Sequence, residues 1–341
     1  SASSAPVLAT KFLLLLLMAT GLPVAIGFLG VNLVGAVLFL GGDIGLEQLV
    51  RNMFNAMASF TLAPIPLFLL MGEILFHTGL AFKAIDAVDR LISRVPGRLS
   101  LVSVLGGTLF SSLSGSTVAN TAILGSVLLP DMLKRGYHPS IAMGPIMATG
   151  GIAMLIPPSA LAVLLGSLAG MSITQLLVAG ILPGILMSLL FVGYVVLRCR
   201  LQPALAPAYD VTRYRGWERW RPFVYHVLPL LSIFTVVVGS IILGWATPTE
   251  SAALGSVASL ALAAAYGGLN RRAVSKVLLE TAKISVMILF IIAGSITFSQ
   301  VLAFSGATDG LLQLVRDTNP SAPLLLALMI LVLLFLGMFM D

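Results

Sequence analysis

The sequence has little charge: Asp, Glu, Lys and Arg make up 9% of its 341 residues, against roughly 25% in soluble domains. An ordinary water-soluble enzyme is excluded on that ground. There is one cysteine, Cys199, so neither an intrachain disulfide nor a Cys-based metal cluster can be built. Between Arg198 and Arg200 it reads as an inert residue at a helix end. The chain also lacks HExxH, GxSxG, Walker A and any Gly-Lys pair, so zincin, serine-hydrolase and P-loop chemistry have no motif to rest on. Aromatic residues are 8% and period-two alternation is missing, which excludes a transmembrane barrel.

What is present is apolar. Hydrophobic residues reach 58% and the mean hydropathy is +1.07. The runs 12 to 40, 62 to 76, 176 to 197, 227 to 246 and 284 to 298 approach or reach the ~20 residues of a spanning helix. The run through Leu40 is longer than a signal-peptide core and reads as the first span. The class is an all-α polytopic membrane protein embedded in a lipid bilayer.

The formal charge of +6 does not point to nucleic acid, because the basic residues cluster between apolar segments, as membrane orientation requires. The clusters are Lys11; Lys83, Arg90, Arg94 and Arg98; Lys134 and Arg135; Arg198, Arg200, Arg213, Arg215, Arg219 and Arg221; and Arg271, Arg272, Lys276 and Lys283. Assigned to the cytoplasm, these are 17 of 19, leaving Arg51 and Arg316 outside. Residues 99 to 133 must then leave and return on one side, and their centre reads "SSLSGSTVANT". A re-entrant helical hairpin with a polar tip satisfies both demands, since irregular backbone at depth needs protein or water around it.

The next segment, 139 to 168, opens after Gly136 and Pro139 and contains "IPPS". Proline removes a helical hydrogen bond and restricts the residue before it, so this helix breaks. We expect the break to extend from Gly150 to Ser159. Half-helix ends offer free carbonyls and amides of the kind transporters use near the midplane. Residues 79 to 115 and 306 to 337 repeat one order: glycine, amphipathic stretch, proline, apolar run, glycine. Approached from opposite sides, they form an inverted repeat. The expected organisation is a first repeat at 1–200, a cytoplasmic linker at 201–221 with Trp217 and Trp220 at the interface, and an incomplete second repeat at 222–341.

"SGSTVANTAILGSVLLPDMLKRGY", "GGIAMLIPPS", "ATPTESAALGSV" and "LGMFMD" together resemble the large membrane subunit of the tripartite ATP-independent periplasmic (TRAP) transporters, with four motifs in family order. The resemblance implies an inverted-repeat, ion-transporter-like elevator fold with re-entrant hairpins and broken helices in the bacterial inner membrane. It also implies Na⁺-coupled import of an organic acid, such as a C4-dicarboxylate or sugar acid, without nucleotide. A periplasmic binding protein and a small membrane subunit are the implied partners. Asn120 stands where many members carry Asp, and a further hairpin arm and broken helix are expected beyond Asp341.

Na⁺ favours carbonyl, hydroxyl and carboxylate oxygens. Its expected ligands come from the tip (Ser114, Gly115, Ser116, Asn120, Thr121), the break (Gly150, Gly151, Ile156, Pro157, Ser159) and, at a second tip, Asp341. Ser116, Asn120, Pro158, Ser159 and Gln300 are the substrate-contact candidates. Gly125 and Ser126 read as close-packing residues. "TPTE", 247 to 250, reads as a capping box. Glu73 is an intramembrane candidate or an interfacial residue, and His77, His138 and His226 read as solvated or interfacial. Two other classes compete. An intramembrane enzyme lacks a base facing Ser116, and a passive channel does not require a paired tip and break.

Overall fold

The computed structural model describes residues 21–92, 95, 97–114, 117–207, 216–305, 312, 313, 316–318 and 320–339. All regular structure among them is helical: α1 (Val24–Phe39), α2 (Asp43–Met57), a 3-10 turn (Phe60–Leu62), α3 (Pro64–His77), α4 (Leu80–Leu91), α5 (Arg98–Ser114), α6 (Thr117–Val127), α7 (Leu129–Lys134), α8 (Pro139–Leu155), α9 (Ala160–Leu168), α10 (Ile173–Leu201), α11 (Trp217–Pro222), a π turn (Phe223–Val227), α12 (Leu228–Ile242), α13 (Pro248–Ala265), α14 (Arg271–Phe304) and α15 (Ala322–Phe339). Four stretches among the described residues are long and apolar enough to cross a bilayer: Phe60–His77, Ile173–Leu201, Trp217–Ile242 and Arg271–Phe304. The pair α8 and α9, bent by 49°, makes a fifth if it counts as one span. The polytopic all-α class follows from these lengths.

Local chemistry sets the boundaries. Gly136, at φ +80°, closes α7, and Pro139 opens α8 behind His138, whose ring nitrogen accepts the Ser140 amide at 3.3 Å. At the start of α13, Thr247 and Glu250 cap each other's amides as "TPTE" predicts: the Glu250 carboxylate accepts from Thr247 N at 2.7 Å and Thr247 Oγ1 accepts from Glu250 N at 3.3 Å. The first apolar run is corrected. It is not one helix from residue 12 to 40, because Gly21 turns at φ +79° and Pro23 caps α1, which begins at Val24. Residues 1–20 lie outside the described part.

The chain divides into two compact units, residues 1–58 with 290–341, and residues 59–289. In the first, Ala36, Leu49, Met53, Ala56 and Ala293 form an apolar core. In the second, α5 packs along α8, and α3 along α13. One core of this unit centres on Val102, Leu124, Met132 and Ala142, the other on Leu75, Leu80, Ala87 and Ala263.

Arg98, one of the basic residues read above as marking sidedness, is buried at the start of α5 and ion-paired with Asp89 at 2.6 Å. Burial holds the Asp89 carboxyl above the usual carboxylate range, and the Arg98 charge offsets that rise only in part. The pair ties α4 to α5 at the entrance of the hairpin.

Helix α10 approaches the end of α8 so closely that a Cβ on Gly180 would collide with the Leu155 carbonyl oxygen. That neighbour is backbone and cannot rotate away. Gly180→Ala should therefore destabilise the purified protein by about 1–3 kcal/mol, the usual range for overpacking, seen as a lowered melting midpoint in detergent. Gly193→Ala on the same helix, with nothing within 4 Å of the new methyl, should leave the midpoint unchanged or raised.

Candidate functional site

Within residues 99 to 133, the described helices α5 and α6 pack against each other. Asn120 Nδ2 on α6 donates to Ser111 Oγ on α5 at 2.7 Å, and a Cβ on Gly107 would lie 2.7 Å from Leu124 Cδ1. Position 111 thus meets 120 while 107 meets 124, so the two arms run antiparallel. The tip between them, Gly115 and Ser116, lies outside the described residues, as do the Ser114 side chain and Asp341.

Helix α8 closes on both arms. Ser111 Oγ donates to the Thr149 carbonyl at 3.1 Å, and Thr149 Oγ1 donates to the Ile146 carbonyl at 2.8 Å. A Cβ on Gly107 would stand 2.9 Å from Thr149 Oγ1, and one on Gly150 would stand 2.9 Å from Thr121 Oγ1 and 3.6 Å from the Thr117 carbonyl. Absent side chains at 107 and 150 are what let three backbones meet, as close packing in membranes requires. The hydroxyl of Ser111 is used twice, accepting from Asn120 and donating to Thr149. Asn120 Oδ1 is fully buried and has no hydrogen-bond partner among the described residues. An acceptor left so costs roughly 1–3 kcal/mol, and a cation or a water is what would relieve it.

The helix breaks where "IPPS" predicts, with a shorter break than expected. Gly150 and Gly151 remain helical, and α8 continues through Leu155. Proline acts on its own amide and on the residue before it, so Pro157 pushes Ile156 to φ −82°, ψ 120° and leaves the glycines upstream untouched. Ile156, Pro157, Pro158 and Ser159 are all buried. Ser159 Oγ caps α9 by accepting the Ala162 amide at 3.2 Å. The break is covered by α10, where Gly180 and Gly184 close on Leu155 and Ile156, so its irregular backbone is enclosed by protein.

Other expected residues lie elsewhere or differ. Gln300 belongs to the first unit, where its Oε1 accepts from Asn52 Nδ2 at 2.6 Å. Thr121 is half-buried beside Gly150. The close packing expected at Gly125 is not found, since a Cβ there would meet nothing within 4 Å, and Ser126 bonds back to the Ile123 carbonyl at 2.9 Å. His77 is not solvated: its Nε2 lies 3.1 Å from Glu73 Oε2, both side chains about 10% exposed. Sequence reasoning passed over Ser111 and Thr149, which order the hairpin against α8. It also passed over Asn32, whose Nδ2 donates to the Gly294 carbonyl at 2.8 Å while its Oδ1 is buried without a partner among the described residues. A lone amide in an apolar run was the available signal there.

Ser111→Ala would take from the Asn120 amide its partner and from the Thr149 carbonyl the second of its two bonds, the one within α8 remaining. It should lower stability by about 1–3 kcal/mol, read as a drop in the melting midpoint. Ser126→Ala, which loses only a bond within its own helix, should lower it by far less.

Comparison with known proteins agrees with this architecture. The family model described as "Tripartite ATP-independent periplasmic transporter, DctM component" matches residues 12–341. The chain is 31% identical over 299 residues to the C4-dicarboxylate TRAP transporter large permease protein DctM of Pseudomonas aeruginosa, covering 87% of this chain and 68% of that protein. It is 30% identical to the protein of the same name from Rhodobacter capsulatus, covering 96% and 77%. The sialic acid TRAP transporter large permease protein SiaM of Vibrio cholerae is 29% identical, covering 95% and 75%. With its spanning helices and its match along almost the entire length, the chain belongs to the DctM component family of tripartite ATP-independent periplasmic transporters and is a multi-pass membrane permease, not an enzyme.

Proposed function

We propose that this permease imports an organic acid by secondary transport, driven by Na⁺ and supplied by a periplasmic binding protein, in the bacterial inner membrane beside a small membrane subunit. Support for the acid comes from the relatives, whose names specify a C4-dicarboxylate and sialic acid as their substrates. Na⁺ is the coupling ion on the chemistry of the hairpin: hydroxyl and carbonyl oxygens converge where α5, α6 and α8 meet, and no carboxylate among the described residues stands with them. The observation that carries the reading is the buried, unpartnered Asn120 Oδ1. Thr121 Oγ1 and the Thr117 carbonyl, both close to Gly150 on α8, are further oxygens that α6 presents to the same helix.

The hairpin is re-entrant on this reading, with its tip at mid-membrane. Its tip and the break at Ile156 to Ser159 flank the substrate, and the amides that open α9 favour an anionic group. Binding Na⁺ supplies the partner that Asn120 Oδ1 lacks and so favours the closed hairpin. The closed unit then moves as an elevator against the rest of the protein. Each Na⁺ entering contributes roughly 2.3 kcal/mol per 100 mV of membrane potential, besides its concentration gradient.

The test is uptake into vesicles holding the permease and small subunit, with the binding protein outside. Asn120→Ala should raise the Na⁺ concentration for half-maximal uptake about tenfold, equivalent to ~1.4 kcal/mol, and Asn120→Asp should lower it by adding a charge. Uptake of equal rate in Na⁺-free medium, or an Asn120→Ala variant with the parent's Na⁺ dependence, would contradict the assignment.

A further inference from the structure

A second polar site lies away from the hairpin, in the same unit. A cavity of about 560 Å³ opens between α4 and the segment formed by α11 and the π turn, lined by Arg90, Glu218, Arg221, Pro222, Tyr225 and His226. This is within the range of small-ligand sites. Among the described residues, the charged groups of the lining and its neighbours include Lys83, Arg90, Arg219 and Arg221 against Asp86 and Glu218, two more cations than anions.

Its walls are held in place. Arg219 Nε and Nη2 donate to the Leu91 carbonyl, the former at 3.2 Å, and so fix α11 on the end of α4. The Tyr266 hydroxyl donates to the Tyr225 carbonyl, fixing the π turn, and Lys83 Nζ sits 5.7 Å over the Tyr266 ring. Arg90 pairs with Asp86 at 2.9 Å, and the Arg221 guanidinium lies 5.8 Å over the Tyr225 ring. His226 Nδ1 is buried without a partner among the described residues. Beside the cavity, Trp217, Trp220 and Tyr225 are exposed. Tryptophan and tyrosine next to arginine mark the headgroup level of a bilayer, and the basic clusters assign this face to the cytoplasmic leaflet.

We infer that this cavity binds the phosphodiester headgroup of an anionic phospholipid, with Arg221 and Arg90 as its cationic contacts and Trp217 and Trp220 against the adjoining acyl region. A free phosphate would meet the same arginines but would gain nothing from the aromatic rim. The α11 segment ends the polar linker, so an occupied site anchors the start of the Trp217–Ile242 span to the membrane surface.

The purified full-length permease in detergent, titrated with phosphatidylglycerol, phosphatidylcholine of the same acyl chains, or inorganic phosphate, tests the inference by native mass spectrometry and melting midpoint. Phosphatidylglycerol should be retained and raise the midpoint, and phosphatidylcholine and millimolar phosphate should not. Losing one arginine near an anionic surface is worth about 1 kcal/mol, or roughly a fivefold weaker association. Arg221→Gln should show that loss, while Arg200→Gln, an exposed arginine outside the cavity, should not. If Arg221→Gln melts lower without lipid, Arg221→Lys takes its place and should retain phosphatidylglycerol within about twofold. Equal retention of the two lipids, an unchanged Arg221→Gln, loss of retention in Arg221→Lys, or stabilisation by inorganic phosphate alone would each overturn it.

Discussion

A membrane helix that stops or turns inside a protein leaves backbone groups for which lipid offers no partner, and every such group must be satisfied or enclosed by protein. The second unit is organised around that constraint. The break between α8 and α9 lies under α10, and the arms α5 and α6 both lie against α8. Ser111 is the connection: its single hydroxyl joins Asn120 on one arm to the Thr149 carbonyl on α8. Glycines at 107 and 150 bring the arms close enough for that bond, and glycines at 180 and 184 seat α10 on the break. Remove the chain of bonds and the arms have apolar packing but no fixed register.

The same constraint leads from structure to transport. A fully satisfied polar network would be rigid and indifferent to ions. Among the described residues, Asn120 Oδ1 is an acceptor left over where α5, α6 and α8 meet. Leaving that acceptor unpaired costs of the order of a hydrogen bond, and on the proposed reading an ion shifts a balance between closed and open hairpins by its differential affinity. An amide in place of a carboxylate keeps an oxygen for the cation and an N–H for Ser111, and leaves no uncompensated charge when the ion departs.

Much of this was legible in the sequence where chemistry acts locally. "IPPS" announces the break because proline constrains its own residue and the one before it. "TPTE" announces a cap for the same kind of reason. What stayed hidden depends on neighbours distant along the chain. Gly150 reads equally as a hinge or as a place for close approach, and only the position of Thr121 decides for the latter. Ser111 and Asn120 are nine residues apart, a spacing with no helical meaning until the turn between them exists. Asn32 is conspicuous in an apolar run, but its partner Gly294 is 262 residues away. Glu73 and His77, one helical turn apart, could have been paired from spacing alone.

The central claim is that a Na⁺ ion rests on Asn120 Oδ1 between the hairpin arms and α8. The most direct measurement is a pair of high-resolution cryo-EM maps of the complete transporter, one in Na⁺ and one with N-methylglucamine in its place. The account predicts a density peak within coordinating distance of Asn120 Oδ1 in Na⁺ that is absent in N-methylglucamine. A peak of equal strength in both maps, or an Asn120 Oδ1 hydrogen-bonded to protein in both, would contradict it.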